Sequence, residues 1–206
     1  MERGPSDYAR IPLYGLVLVG GKSSRMGTEK ALLQYAGKPQ VQRAYELIAR
    51  YCDGVFLSIH PDQAAVAEFA AFPQIIDTAA GVSGPLAGIL SALRANPHAA
   101  WLVVACDLPF LDETTMAHLV QNRNRRQIAT AYRSPHDGLP EPLCAIYEPH
   151  SAGHLKAMAA LNVDDPREAL ARAKIPLLEL VDRGALDNVD TPEQYRQAQA
   201  RLTPSP

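Results

Sequence analysis

Eleven residues hold most of the chemistry that can be read from this chain. Gly20-Gly21-Lys22-Ser23-Ser24-Arg25-Met26-Gly27-Thr28-Glu29-Lys30 follows directly on the apolar run Leu16-Val17-Leu18-Val19. Glycine lets a backbone approach a ligand closely, and exposed N–H groups in such a turn form a concavity for anions. Three cations, Lys22, Arg25 and Lys30, stand against one acid, Glu29, so the stretch suits a polyphosphate. Neither common phosphate loop fits. A Walker A loop needs glycine where this chain has Leu16, and the dinucleotide fingerprint needs glycine where it has Lys22. A plain strand-to-helix turn with surface cations is the competing explanation.

A second constellation follows the apolar run Trp101–Ala105. Cys106-Asp107-Leu108-Pro109-Phe110 sets a carboxylate just past the end of a buried strand, and Pro109 turns the chain away. Mg²⁺ typically takes one or two carboxylates together with substrate phosphates and water, so Asp107 is a candidate ligand; capping the next turn is its alternative role. Asp190, in Asn188-Val189-Asp190-Thr191, is a possible second metal contact, although Asp or Thr before Pro192-Glu193 also makes a good helix N-cap, and capping ranks first. For Glu141, ahead of Pro142-Leu143, turn chemistry is slightly preferred over a role at the acceptor. The six histidines show no metal-ligand spacing, and Arg123-Asn124-Arg125-Arg126 is expected to be a solvated helix end.

These residues need elements that bring them together. Strands are expected at Leu13–Val19, Gly54–His60, Gln74–Ile76, Trp101–Ala105, Gln127–Tyr132, Pro142–Tyr147 and Pro176–Leu180. Helices are expected at Val41–Tyr51, Gln63–Ala71, Leu86–Arg94, Glu113–Asn122 (with Asp112 as cap), His150–Ala160, Pro166–Ala173 and from Thr191 to Arg201. Repeated strand–helix–strand units imply an α/β fold: a Rossmann-like, mostly parallel sheet with helices on both faces. In such sheets ligands bind beyond the carboxyl ends of the strands, where the cationic loop and Asp107 both fall.

Composition narrows the classes further. The chain has 206 residues, 47% hydrophobic and 20% charged, with a formal net charge of −2. That is enough for one sizeable domain, expected over 13–202 with flexible termini at 1–12 and 203–206. The near-neutral charge gives no sign of a nucleic-acid or membrane surface. Cys52, Cys106 and Cys144 lie far apart, so neither a zinc pair nor a disulfide framework is indicated. No apolar run is long enough to span a membrane and no signal peptide is legible, so a cytoplasmic location is expected.

The loop Gly20–Leu33 with Gly37-Lys38-Pro39 resembles the signature of the nucleotidyltransferases typified by the molybdenum cofactor guanylyltransferase. Three later motifs agree in order: Gly84-Pro85-Leu86-Ala87-Gly88-Ile89, Cys106-Asp107-Leu108-Pro109-Phe110, and Asn188-Val189-Asp190-Thr191-Pro192-Glu193. The resemblance covers about residues 13 to 200 and implies a nucleotide-diphospho-sugar transferase-like fold. It implies transfer of GMP from GTP to the phosphate of molybdopterin with release of pyrophosphate. Mg²⁺ is the implied cofactor, and proteins that deliver molybdopterin or receive the product are the implied partners. It places Val19, Gly20, Gly21, Ser58, Asp77 and Gly84 around the nucleotide, Arg25 and Lys30 on its phosphates and Asp107 on the metal. Departures are Glu29 where Asp is usual, Val19 for a small Ala, and Ser58 where Asn is often found. The rival readings are a cytidylyltransferase using CTP, a sugar-phosphate nucleotidyltransferase, and a nucleotide-binding regulatory module without turnover. The last is disfavoured by the intact Arg25, Lys30 and Asp107.

Overall fold

The computed structural model describes residues 10–20, 29–78 and 81–202. Gly21 and Arg25 therefore lie outside the described residues. Seven strands form one sheet: β1 (Leu13–Leu18), β4 (Gly54–Ile59), β5 (Gln74–Ile76), β6 (Ala100–Ala105), β7 (Ala129–Arg133), β8 (Pro140–Tyr147) and β9 (Leu177–Leu178). Their spatial order is β5-β4-β1-β6-β8-β7-β9. Neighbours β5, β4, β1 and β6 are parallel, whereas β8 runs antiparallel to both β6 and β7. The sheet is thus mostly parallel, as expected, with one reversed strand in its middle. A small hairpin of β2 (Gln34–Tyr35) and β3 (Lys38–Pro39) lies apart from it, where the sequence reading had only a turn.

Alternation along the strands divides the core. Leu13, Val17, Leu102 and Val104 meet α1 (Gln40–Ala49) and α3 (Glu113–Gln121) on one face, through Val41, Ile48, Met116 and Leu119. Leu16, Leu18, Trp101 and Val103 meet α2 (Gly84–Ala95), α4 (Ser151–Ala160) and α5 (Pro166–Ala173) on the other, through Leu86, Ile89, Leu93, Leu155 and Leu170. Strand β6 is buried at every position because helices cover both of its sides. The last helix, α6 (Pro192–Leu202), packs through Ala198 against Tyr35 and Val189.

Two expectations are corrected. The stretch Gln63–Ala71 is not a helix but two 3-10 turns, Pro61–Gln63 and Ala67–Phe69. His60 and Gln63 close a capping box around the first turn, while Gln63 and Phe69 point into the core. Satisfying the backbone locally at His60 stops a continuous ladder from propagating. Arg123 is also not solvated. It lies against the wholly buried Glu148 in a forked pair, Nε to Oε1 at 2.6 Å and Nη2 to Oε2 at 2.9 Å, because a buried carboxylate requires a partner.

Candidate active site

The carboxyl ends of β1, β4, β5 and β6 share one edge. The backbone joins them there: Val19 N donates to Ser58 O, Cys106 N to Leu18 O, and Asp77 N to Ile59 O. Val19 is buried at this edge, and Gly20 is exposed with open space where a Cβ would lie. Next to them the buried Ser58 donates its hydroxyl to Asp77 Oδ1 at 2.7 Å. Burial pushes the Asp77 carboxyl above its ordinary range, and the Ser58 hydrogen bond and His60 only partly offset this. Gly88, in the first half of α2, makes this approach possible, since a Cβ there would overlap Ser58 Oγ. Gly84, with φ of +64°, turns the chain into α2 ahead of Pro85. Val19, Gly20, Ser58 and Asp77 are thus grouped at one edge, with a half-buried carboxylate among them, and Gly84 opens the helix that packs on Ser58 through Gly88.

Asp107, which follows β6 at the same edge, and Asp190 converge on one cation. Lys30, at the start of a 3-10 turn, reaches between them: its Nζ is ion-paired with Asp190 Oδ1 and lies 3.8 Å from Asp107 Oδ2. Asn188 Nδ2 donates to the other Asp190 oxygen at 2.8 Å, and Val189 N donates to the Asp107 carbonyl at 3.0 Å. The segment before α6 is therefore tied to the loop after β6. Burial raises the Asp107 carboxyl, Lys30 opposes the shift, and Asp190 adds to it. The N-cap of α6 is Thr191, whose Oγ1 accepts from Gln194 N while Gln194 Oε1 accepts from Thr191 N. The expected capping role of Asp190 is therefore taken by Thr191, and the Asp190 carboxylate engages Lys30 and Asn188 instead.

Two carboxylates gathered on one cation make a hard oxygen site that fits Mg²⁺. Among the described residues, no group of three or more His, Cys, Asp and Glu side chains is arranged so that it could hold a metal ion. Further oxygens would have to come from substrate and water, as Mg²⁺ commonly arranges.

A cavity of about 470 Å³ opens from Asp107 and Gly84 towards Ser134, Glu141 and Arg167. The reversed strand explains its far wall. Because β8 runs against β6, its beginning, not its end, reaches the site edge. Glu141 is the second residue of β8 and accepts from Arg167 Nη2 at 2.9 Å, while Arg167 Nη1 donates to Asp137 at 2.8 Å. Glu141 is thus a cavity-lining group and not simply a turn residue. Sequence reasoning missed Arg167. Its signal was a cation in the first turn of a helix, where acidic residues are favoured. Cys106 and Cys144 are buried with their thiols pushed up by desolvation, so neither offers a nucleophile.

With the geometry in place, the chain's relationships follow. Residues 15–177 match the model of the MobA-like NTP transferase domain, and the chain belongs to that family of nucleotidyltransferases. A molybdenum cofactor biosynthesis bifunctional protein of Synechocystis is 37% identical over 94% of this chain, which spans 56% of that protein's length. A molybdenum cofactor guanylyltransferase of Rhizobium meliloti is 31% identical, covering 97% of this chain and 95% of its own. The crystal structure of molybdopterin-guanine dinucleotide biosynthesis protein A from Archaeoglobus fulgidus superposes with a TM-score of 0.70, covering 91% of this chain and 97% of its own at 23% identity. The fold is that of the nucleotide-diphospho-sugar transferase-like enzymes.

Proposed function

We propose that this chain transfers GMP from GTP to the phosphate of molybdopterin, with Mg²⁺ at Asp107 and Asp190. The observation that carries the reading is the meeting of Lys30 with Asp107 and Asp190, where Asp107 also lines the cavity that reaches Arg167. The names of the full-length relatives favour guanylyl transfer over cytidylyl transfer. The nucleotide lies along Val19, Gly20, Ser58, Asp77 and Gly84, with Gly21 assigned to it from the sequence alone, and the acceptor enters from the Glu141–Arg167 side.

An oxygen of the acceptor phosphate attacks the α-phosphorus; the new P–O bond forms as the bond to the β-phosphate bridging oxygen breaks, and pyrophosphate leaves. The nucleophile is already anionic at neutral pH, so the protein needs no general base for it. Its task is to bring two polyanions together in line, by position and by charge. Lys30 and Arg25 neutralise the departing pyrophosphate, Asp77 orients the nucleoside, and Arg167 meets the incoming anion. Bound Mg²⁺ supplies charge neutralisation on the phosphates.

The test is the rise in melting temperature with each nucleotide and Mg²⁺. A ligand at a hundred times its dissociation constant stabilises the native state by about 2.7 kcal/mol. GTP is expected to raise it more than CTP or ATP at equal concentration, and molybdopterin is expected to release pyrophosphate from GTP. A larger shift with CTP would overturn the guanylyl assignment.

A further inference from the structure

We infer that Lys30 holds the metal's place: its ammonium occupies the carboxylate oxygens of Asp107 and Asp190 until a nucleotide draws it away, so that divalent-cation binding depends on nucleotide. The inference rests on the nucleotidyl-transfer reading above and adds an order of events to it.

Lys30 Nζ engages Oδ1 of Asp190 and faces Oδ2 of Asp107, one oxygen from each carboxylate. The second oxygen of Asp190 is held by Asn188 Nδ2. Among the described residues, Lys30 is the cation that reaches both carboxylates. With it in place the trio carries one net negative charge instead of two. A divalent ion arriving alone must expel the ammonium of a side chain that is four-fifths buried, or bind beside it against like-charge repulsion.

A triphosphate changes this balance. Lys30 acts as a mobile point charge on a flexible stem, and phosphate oxygens offer it a denser anionic partner. Once it swings to them, the two carboxylates are left facing one another and require a cation, which the phosphates help to hold. The same side chain thus excludes the metal before the nucleotide binds and admits it afterwards. Without such an arrangement a preformed pair of carboxylates would take up free divalent ions and meet the nucleotide already occupied.

Mn²⁺ alone, followed by its paramagnetic resonance signal, provides the probe. Nucleotide-free wild type and Lys30→Met, which keeps the length of the stem but not the charge, are titrated in parallel. Lys30→Met is expected to bind Mn²⁺ at least tenfold more tightly than wild type. The gain is expected to vanish in the double variant Lys30→Met with Asp107→Asn. If Lys30→Met does not fold, Lys30→Gln keeps a donor to Asp190 without charge and should behave alike. Equal affinity in wild type and the neutral variant overturns the inference, as does a gain that survives loss of Asp107. No nucleotide enters this titration, so its failure leaves guanylyl transfer standing. Failure of guanylyl transfer, seen as no thermal shift with GTP, leaves the Mn²⁺ comparison readable.

Discussion

Gly88 and Ser58 face each other across the packing of α2 on β4 with no room for a methyl group between them. A Cβ on Gly88 would overlap Ser58 Oγ and come within 2.9 Å of Leu18 Cδ2. Helix propensity alone favours alanine here by about 1 kcal/mol. Overpacking a tight core costs about 1–3 kcal/mol and opposes that gain. Gly88→Ala is therefore expected to be destabilised by up to roughly 2 kcal/mol, the balance of the two effects, and to bind GTP more weakly because Ser58 must leave Asp77. Urea unfolding and GTP titration check this, and a variant more stable than wild type with unchanged affinity would show that the contact relaxes freely.

Asp77 offers a test with a definite sign. Its carboxyl is raised from 3.8, chiefly by burial, so the folded protein holds this proton more tightly than the unfolded chain. The resulting stabilisation is full below 3.8 and is lost as pH rises through the folded-state value. Asp77→Asn carries no charge to bury and keeps an oxygen for Ser58. The variant is thus expected to gain stability relative to wild type between pH 4 and pH 7 while losing nucleotide affinity. A variant less stable than wild type at pH 7 would show that the carboxylate serves the fold instead.

For Asp107, the substitution Asp107→Asn preserves shape and removes the charge proposed to hold the metal. Turnover is expected to fall by at least ~10²-fold, the scale of losing one preorganised electrostatic group, with the melting temperature maintained. Pyrophosphate release with molybdopterin present is the measurement. Near-normal turnover would return Asp107 to a capping role.

Arg167 bridges Asp137 and Glu141 at the cavity wall and is about a third exposed. Such pairs contribute little to stability, about 0–1 kcal/mol. Arg167→Ala is expected to unfold within that margin of wild type, to bind GTP normally, and to raise the KM for the acceptor. A change confined to the GTP dissociation constant would move Arg167 to the nucleotide side.

The sequence carried the layout further than the contacts. Long apolar runs such as Trp101–Ala105 and capped helices such as Glu113–Gln121 were legible because their periodicity and end signals are local. The direction of β8 was not, since alternation is the same for either direction of a strand. Nor was the 160-residue separation between Lys30 and Asp190, which only the finished fold closes. The Gln63–Ala71 stretch misled because Val66 and Phe69 have helical spacing, whereas the competing capping interactions at His60 involve polar side chains. In the site, Lys30 and Asp107 stood out by position after strands. Arg167 did not, because it belongs to a helix start far along the chain.

The reversal of β8 has an architectural consequence. The parallel strands β5, β4, β1 and β6 carry the edge assigned to the nucleotide, while the connection between β7 and β8, with Ser134, His136 and Asp137, edges the opposite mouth of the cavity. That connection is a surface turn between two antiparallel neighbours, and such turns accept insertions and replacements at small thermodynamic cost. The chain is thus modular at this point: under the proposed function, grafting a different β7–β8 turn offers a route to new acceptors without rebuilding the edge proposed to bind the nucleotide.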